Sequence, residues 1–410
     1  MRISLLFLSG ALTFLATVVL IVDYVNVPVE SPRGLQLGRF HLVDDGLAVA
    51  DVRLRLDQIG YAGAAKVFGP ALQRDPGSAY RWSDYGEGVL AANDVPHAAL
   101  AYDRARQLAP HDVLILYDAG DFYSSHGKPA ATLEAFSIIL RETGAPKGDV
   151  LTQNVFTYYE NLQVRQKKLF DQAIPDAPNA CAYLKFLMAG NRKDSGAAVQ
   201  ETWNWLTAKR FDDDTLAADY SRYMVANQQF EAAEGGWGVH FRDRNDGYPL
   251  QSRVFNGGFE FEFQNAPLDW RFDGYNSVRV QRDSSVRFEG KYSLRLNFDG
   301  NDNPDFHHFG QQVLLRPGRY HFTGRLRTAG ITSDEGIRFR ALVAGGTNQI
   351  RGETPALSGT HDWTPLTMDF EVLSGMPVID IEVSRHRSLR LDNQLRGTAW
   401  VDAVRISRLP

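Results

Sequence analysis

The sequence predicts a multidomain α + β protein with an N-terminal transmembrane helix, an α-solenoid and a C-terminal antiparallel β-sandwich. Three observations carry this prediction. Residues 3–22 form one uncharged apolar run, apolar residues then recur at helical spacing to about residue 240, and from Phe259, Phe261 and Phe263 onward they alternate with polar residues. A chain of 410 residues with 44% apolar residues can bury more than one core, so several domains are expected.

The composition excludes several classes of function. The net charge of -5 is spread along the chain without a basic block, so nucleic acid is not an expected partner. Cys181 is the single cysteine of the chain, which excludes an internal disulfide, a thioredoxin-type cysteine pair and a cysteine-rich zinc site. We therefore expect Cys181 to be a small core residue.

The N-terminus determines the predicted compartment. As a helix, residues 3–22 are long enough to cross a hydrocarbon core about 30 Å thick. Arg2 precedes this run and Asp23 follows it. We therefore expect the chain to cross the inner (cytoplasmic) membrane once, with the N-terminus on the inner side and the bulk of the chain in the periplasm or outside the cell. A cleaved signal peptide is the alternative, but no small-x-small cleavage site follows the run. The predicted bounds are 1–25 for the anchor and 26–44 for a linker.

A repeat of 34 residues is predicted after the linker. The segment 79–112 resembles a tetratricopeptide repeat because six characteristic residues stand at that family's positions: Trp82, Gly86, Ala98, Tyr102, Ala105 and Pro110. Less complete copies are expected at 45–78 and 113–146. In such repeats small residues let two helices approach closely, an aromatic ring fills the gap to the next repeat, and proline ends the second helix. We expect a protein partner to dock on these helices.

From residue 150 to 240 the pattern stays helical while the repeat frame fades. The three aspartates of "FDDD" at 211–214 predict a carboxylate-rich helix start, and a metal site is the alternative. Glycine, aspartate and proline are concentrated near 236–250, which predicts a domain boundary there. The predicted domains are therefore a helical repeat domain at 45–240 and a β-sandwich domain at 250–410.

The segments after residue 250 predict short strands with one apolar face. In "KYSLRLNF", for example, Tyr292, Leu294, Leu296 and Phe298 share a face. An ordered series of segments resembles galactose-binding-like jelly rolls, among them the carbohydrate-binding modules attached to cellulases and xylanases: "NGGFE" at 256–260, "GKYSLRL" at 290–296, "LRPGRYHFTGRLRT" at 315–328, "HDWTPLTMDFEV" at 361–372 and "GTAWVDAVRI" at 397–406. The resemblance implies a jelly-roll fold and a glycan as ligand.

The same resemblance implies a structural calcium ion. In such modules the glutamate of the first strand and the aspartate of the last commonly hold calcium, and Glu260 and Asp402 occupy those places here. Alternation places Asp402 on one face with Trp400, Val404 and Ile406, where a carboxylate needs a partner. The alternative to calcium is that Asp402 pairs with an arginine or with backbone N–H groups.

Sugar recognition requires flat apolar side chains for the C–H faces of a pyranose ring and planar polar groups for its hydroxyls. The candidate ligand-binding residues of these types are Trp270, Tyr275, His308, Trp363, Arg385 and His386. A position in the core of the sandwich is the alternative for Trp270 and Trp363. His307 and His308 are adjacent, so in a strand we expect them to point to opposite faces.

The sequence contains no recognised catalytic motif, such as a GxSxG elbow, a phosphate-binding loop or an HExxH pair. We therefore expect a non-enzymatic, membrane-anchored envelope protein whose repeats dock a protein partner and whose β-sandwich binds a glycan, in polysaccharide assembly or export. One alternative is a protein-protein scaffold with a purely structural β-sandwich. Another is a glycosidase or lyase with an unrecognised site, because two catalytic carboxylates can come from any part of a fold.

Overall fold

The computed structural model describes residues 61–410 except 145–149, 163, 175, 191–195, 246, 345–348, 376 and 392. The predicted anchor at 3–22, the linker at 26–44 and the first part of the repeat at 45–78 lie outside the described residues. None of the described helices is both long and apolar enough to cross a membrane. The chain divides into two compact units, residues 1–179 and residues 180–410.

The described part of the first unit is helical. Its helices are α1 (Tyr61–Arg74), α2 (Ala79–Ala91), α3 (Val95–Leu108), α4 (Val113–Ser125), α5 (Pro129–Thr143), α6 (Val150–Asn161) and α7 (Gln166–Gln172). Helices α2 and α4 begin 34 residues apart, and so do α1, α3 and α5. Helix placement thus follows the 34-residue period, while membership of the tetratricopeptide family stays a prediction.

Glycine and aromatic residues set the spacing within these helix pairs. Gly120 in α4 faces the ring of Phe136 in α5, and a Cβ added to it would lie 2.3 Å from that ring. Gly86 in α2 has the same relation to Tyr102 in α3, with a Cβ contact of 3.2 Å. Any larger side chain at Gly120 would push its two helices apart, which explains the small residue in the repeat frame.

Four helices precede the sandwich: α8 (Ala177–Ala189), which begins just before the second unit, α9 (Gly196–Lys209), α10 (Asp214–Ala226) and α11 (Phe230–His240). The predicted helix start at 211–214 is confirmed, because the Asp213 carboxylate caps α10 by accepting a hydrogen bond from the N–H of Leu216 at 2.7 Å. Its neighbours Asp212 and Asp214 instead bind the two ring nitrogens of His240 at the end of α11. These two carboxylates therefore join α10 to α11.

Residues on both sides of the expected boundary near 236–250 pack together within the second unit. The ring centres of Trp237 and Phe255 lie 5.4 Å apart, and those of Phe241 and Phe255 lie 4.9 Å apart. The Arg253 guanidinium also pairs with Glu234 at 3.0 Å. The helices from residue 180 onward thus belong to the same compact unit as the sandwich, while the domain bounds drawn from the sequence stay a prediction.

The predicted antiparallel β-sandwich is confirmed by the ten strands, in two sheets, that the described residues form. The strands are β1 (Arg271–Phe272), β2 (Val278–Asp283), β3 (Ser293–Asp299), β4 (Phe306–Leu314), β5 (Gly318–Ile331), β6 (Arg338–Val343), β7 (Ile350–Glu353), β8 (Gly359–Val372), β9 (Val378–Arg385) and β10 (Arg396–Arg408). Sheet I has the order β1-β4-β9-β6-β7, and sheet II has the order β2-β3-β10-β5-β8. The inward residues of both sheets form one apolar core, as the alternation in β3 predicts.

The strand predicted from the alternation of Phe259, Phe261 and Phe263 is wrong. Residues 254–263 form turns and irregular chain, with φ of +57° at Phe259. The side chain of Asn256 replaces a neighbouring strand here, since its Oδ1 accepts from the N–H of Phe261 at 3.0 Å and its Nδ2 donates to the carbonyl of Phe261 at 2.9 Å. Phe259 nevertheless is fully buried in the core.

The predicted common face of Trp400, Asp402, Val404 and Ile406 is also wrong. The pairing of β10 with β5 shifts register between Asp402 and Arg405, and the intervening Ala403 has φ of +50°. This bulge reverses the alternation. Val404 and Ile406 lie in the core, whereas Trp400 and Asp402 stand on the outer side of sheet II.

Candidate functional site: the outer faces of the sandwich

Trp270 lies in the core of the sandwich. Its side chain is fully buried, its ring stacks on Phe309 with centres 5.2 Å apart, and its Nε1 donates a hydrogen bond to the carbonyl of Asn256 at 2.9 Å. The carboxylate of Asp269 beside it is buried too, and burial raises the pKa of that group to about 7. The structure therefore places Trp270 in the core alternative and not on a surface that a sugar reaches.

Arg385 is likewise buried, at 0% exposure. Its Nη1 donates to Oδ1 of Asn303 and to the carbonyl of Pro304, both at 2.7 Å, and its Nη2 donates to Oγ of Ser333 at 2.9 Å. Burial lowers the pKa of this guanidinium. Arg385 thus holds two connections together at one end of the sandwich, and its donors are occupied by the protein.

Tyr275 and His308 are brought together beside sheet I. Their ring centres lie 4.7 Å apart, both side chains are half-buried, and the Tyr275 hydroxyl donates to Asp302 at 2.6 Å. Burial and the neighbouring ring of His307 lower the pKa of His308, and Glu382 on the adjacent strand opposes this shift. The two rings are tilted by 54° to each other and form a partly exposed aromatic pair with polar atoms around it.

The expectation that His307 and His308 point to opposite faces is wrong. Their rings stack with centres 4.6 Å apart. The reason is a register shift in β4 between Phe306 and Phe309, which interrupts the alternation where the two histidines lie.

Trp363 lies on the other sheet. It is half-buried in β8 of sheet II, where its ring meets Phe288 edge to face with centres 6.0 Å apart. The candidate residues of the sequence are thus divided among three places: the core, the surface of sheet I and the outer face of sheet II.

Glu260 and Asp402 bind the same loop, which connects β2 to β3. Oε1 of Glu260 accepts from the N–H groups of Lys291 and Tyr292 at 2.8 and 3.1 Å. Oδ2 of Asp402 accepts from the N–H groups of Phe288 and Glu289 at 2.8 and 3.2 Å. Four backbone N–H groups of residues 288–292 are therefore bound by these two carboxylates.

This arrangement matches the alternative in which backbone N–H groups bind Asp402. Burial raises the pKa of Asp402 to about 6 against the effect of those donors. Calcium prefers six to eight oxygen ligands, and within the described residues no group of three or more acidic, histidine or cysteine side chains could hold a metal ion. Calcium at Glu260 and Asp402 stays a prediction, which a fall in melting temperature on chelation would support and an unchanged value would contradict.

The outer face of sheet I carries a row of directly paired residues that crosses all five strands and is charged on four of them. In the direct pairing of the strands, Arg271 of β1 stands beside Gly310, which stands beside Glu382, then Arg340, then Glu353 of β7. Glu382 faces outward, because side chains alternate along β9 and the odd-numbered Ile379, Ile381 and Val383 are fully buried in the core. We call this row, together with Asp380 and Arg338, the paired-charge face.

Each arginine of the paired-charge face lies beside a carboxylate. Nη2 of Arg340 donates to Glu382 at 2.8 Å, Nη1 of Arg338 donates to Glu353 at 3.3 Å, and Arg271 lies 3.5 Å from Asp380. These side chains expose less than about a third of their surface. His386 also binds Glu353, at 2.8 Å.

Asp380 of this face has a raised pKa. Burial raises its pKa, the Arg271 guanidinium opposes that shift, and Glu382 two residues along the strand adds to it. Chemically, the face combines donors and acceptors in fixed positions with little net charge, which suits hydrogen bonding to hydroxyl groups.

Sequence reasoning missed the paired-charge face. The signal was present in "VIDIEV" (378–383) and "IRFRALV" (337–343), where charges alternate with apolar residues. Alternation predicts that Asp380 and Glu382 point outward, but it does not predict which strands flank them. Their arginine partners therefore could not be identified without the order of strands in the sheet.

No protein-family model matches the chain, and no curated protein matches it. Similar solved structures include carbohydrate-binding modules. The module CBM4 has 16% identity and a TM-score of 0.29, over 38% of this chain and 99% of that one. TmCBM61 in complex with β-1,4-galactotriose has 20% identity and a TM-score of 0.27, over 39% and 99%. The CBM22-1 xylan-binding domain of Paenibacillus barcinonensis Xyn10C has 13% identity and a TM-score of 0.27, over 38% and 91%.

Proposed function

We propose that this protein is a non-enzymatic, glycan-binding protein of the cell envelope, whose paired-charge face on sheet I binds a neutral polysaccharide. The observation that carries this proposal is the row from Arg271 to Glu353, in which guanidinium and carboxylate groups on four strands alternate in sign, with Gly310 of β4 between Arg271 and Glu382. Sugar hydroxyls both donate and accept, so one hydroxyl bridges an arginine and a carboxylate without a change in net charge. The adjacent Tyr275 and His308 rings supply an apolar surface for a sugar ring.

Gly310 supports this proposal because no side chain projects from β4 in the middle of the paired-charge face. A Cβ at Gly310 would lie 2.8 Å from the carbonyl of Ile381 and 3.1 Å from Cγ of Glu382. The Glu382 side chain therefore packs closely over Gly310, and β4 contributes no side chain to the face at this point. A glycan chain laid across the strands passes over Gly310 with polar groups on either hand.

The remaining parts of the proposal rest on the sequence. Residues 3–22 anchor the chain in the inner membrane with its bulk on the far side, the helices dock a protein partner, and the assembly serves polysaccharide assembly or export. A periplasm-only reporter fused to the C-terminus is expected to be active, and an inactive reporter at full expression would contradict this topology.

The glycan proposal is tested by binding of the full-length protein to an array of neutral bacterial and plant polysaccharides. Glu382→Gln keeps the size of the side chain but removes the charge, and we expect at least about a tenfold loss of affinity because hydrogen bonds to charged groups contribute about 1.5–3 kcal/mol. Glu371→Gln, at an exposed glutamate of β8 on the other sheet, is the matched control and should bind as the unmodified protein does. Silence across the array would favour the scaffold alternative.

A glycosidase is the second candidate function, and Asp380 is the observation that favours it. Two carboxylates, Asp380 and Glu382, face the same side of one strand, and glycoside hydrolysis uses a pair of carboxyl groups; burial also raises the pKa of Asp380. Release of new reducing ends from a bound polysaccharide, lost in Asp380→Asn, would establish this activity. Binding without cleavage would leave the non-enzymatic proposal in place.

A further inference from the structure

The outer face of sheet II carries a second row of directly paired residues, and its chemistry differs from that of sheet I. Gln281, Arg295, Trp400 and Arg327 stand side by side on β2, β3, β10 and β5. Cζ of Arg295 lies 5.8 Å from the centre of the Trp400 ring, and Cζ of Arg327 lies 5.9 Å from it. A tryptophan therefore stands between two guanidinium groups in the middle of the sheet.

The row continues toward the loop between β2 and β3. Arg325 is next to Asp402 in the register of β5 and β10, and its Cζ lies 4.5 Å from the ring centre of Phe288. Phe288 is 43% exposed and contacts Trp363. We call Arg295, Arg325, Arg327, Trp400, Phe288 and Trp363 the arginine-aromatic face. Its loop is held in place by Asp402, so the Phe288 ring is positioned and not free.

The positive charge of this face is only partly neutralised. Asp283 is 3.9 Å from Arg295 but already accepts hydrogen bonds from Ser285 and from Nε1 of Trp400. Asp362 lies 3.8 Å from Arg327 and is 87% exposed. Within the part of the chain that the structure describes, no ion pair to Arg325 is found. Aromatic rings fix the orientation of the guanidinium groups without cancelling their charge.

We propose that the arginine-aromatic face binds an acidic polysaccharide, one that carries carboxylates along an extended chain. Guanidinium groups match carboxylates in a two-pronged geometry that fixes orientation as well as charge. Arg295 and Arg327 lie two strands apart, which is roughly 9 to 10 Å and close to the length of a disaccharide repeat. A chain lying across the strands presents one carboxylate to each arginine, and the Phe288 and Trp363 rings contact the apolar face of a neighbouring sugar.

This face is on the opposite sheet from the one in the proposed function, so either assignment can fail while the other holds. The overall charge of -5 also matters, because an acidic chain attracts a polyanion only where arginines are gathered. A polyuronate is therefore expected to bind at this face alone.

The test uses the full-length protein in detergent with sodium polygalacturonate as the probe and the same polymer after chemical reduction of its carboxyl groups as the matched ligand control. Arg325→Gln and Arg327→Gln are each expected to weaken binding of polygalacturonate by about tenfold, since each removes a charge-assisted contact. Arg319→Gln, an exposed arginine on the same strand, is the matched protein control and should leave affinity unchanged. Arg325→Lys should recover only part of the loss, because it restores charge without the planar geometry.

Three results would overturn the proposal. Equal binding of the acidic and reduced polymers would remove the carboxylate from recognition. An equal loss in Arg319→Gln would mean that binding follows general charge. Tighter binding to single-stranded DNA or to vesicles of anionic phosphatidylglycerol than to polygalacturonate would assign the face to a nucleic acid or a membrane. A thermal melt of each variant shows whether it is folded. If a glutamine variant does not fold, the affinity of Arg325→Lys for polygalacturonate tests the proposal instead.

Discussion

The two outer faces of the sandwich hold their arginines in different ways. On sheet I, Arg340 lies beside Glu382 at 2.8 Å and the charges alternate in sign across the strands. On sheet II, Arg295 and Arg327 lie on either side of the Trp400 ring, and Arg325 lies over Phe288. The same type of side chain, on the same type of strand, is thus neutralised on one face and only partly neutralised on the other.

The two faces therefore depend on different interactions. A half-buried ion pair is costly to break, because removing one partner leaves the other charge without compensation. A guanidinium stacked on a ring keeps its charge for a partner outside the protein, and losing it costs the protein little. We therefore expect substitutions on sheet I to act on stability as well as binding, and substitutions of arginines on sheet II to act on binding.

We expect the greatest loss of stability on substitution of Asp402, which holds the loop that places Phe288 on sheet II. Asp402→Ala leaves the N–H groups of Phe288, Glu289 and Ala403 without their acceptor, and we expect a loss of about 3 kcal/mol in the free energy of unfolding. Polygalacturonate binding should fall with it, whereas neutral glycan binding should not. Denaturation in urea measures the first effect.

Glu289→Ala is the control for that experiment. Glu289 lies in the same loop, and its side chain pairs with Arg405 at the surface, so its removal should change stability by no more than about 0.5 kcal/mol. Equal losses in the Asp402 and Glu289 variants would contradict the role given to the buried carboxylate.

Local pattern predicted much of this fold. Alternate helices begin 34 residues apart, and this spacing follows from residues that recur along the sequence. The alternation of Leu294, Leu296 and Phe298 lies within one short segment. Both could therefore be predicted from the sequence. The turn at 254–263 could not, because it depends on the Asn256 side chain taking the place of a strand. Nor could the bulge at Ala403, since alternation read from sequence assumes an uninterrupted strand.

The candidate site was less predictable for a related reason. Trp270, Trp363 and Arg385 are residue types that bind sugars, but residue type does not determine exposure, and two of the three are buried. Glu382 belongs to the candidate site because it pairs with Arg340, which lies on a different strand and far from it in the sequence. Sequence indicates that such a charge points outward, whereas the order of strands determines what lies next to it.

The next largest effect compares one ion pair with one stacked arginine. Glu382→Leu leaves Arg340 mostly buried without its partner, and we expect a loss of about 2 kcal/mol in the free energy of unfolding. The double variant Arg340→Leu with Glu382→Leu should recover most of that loss. Arg327→Leu on sheet II should cost about 0.5–1 kcal/mol, the range of one cation-π contact. A double variant as unstable as the sum of its parts would contradict the pairing, and an equal cost for Arg327→Leu would erase the difference between the faces.

A smaller effect is expected from the hydrogen bond between Trp400 and Asp283, and it depends on pH. Burial opposes ionisation of Asp283, but hydrogen bonds from Ser285, Trp400 and Val286 lower its pKa to about 2. The folded value lies below the unfolded one, so the stabilisation is complete above about pH 4 and is lost as the pH falls toward 2. Trp400→Phe removes one donor and should cost about 1 kcal/mol at pH 7 and less at pH 2.5.

The assignment of that pH dependence to Asp283 is checked by repeating the substitution in an Asp283→Asn background. There Trp400→Phe should cost the same at both pH values, as measured by urea denaturation. A cost that still varies with pH would mean that another group near Trp400 titrates.

Substitution of Asp362 is expected to change binding without changing stability. Asp362 is exposed and lies 3.8 Å from Arg327, so Asp362→Ala should change the free energy of unfolding by less than about 0.5 kcal/mol. It removes the carboxylate that faces Arg327, and we expect polygalacturonate to bind slightly more tightly, most clearly at low salt, where charges on the surface are least screened. Asp369 is an exposed carboxylate on the same strand as Asp362, and it pairs with His321 of β5. Asp369→Ala should leave the affinity for polygalacturonate unchanged. Weaker binding after Asp362→Ala would mean that the carboxylate contributes to the ligand site, and the charge on sheet II would then resemble the mixed charge of sheet I.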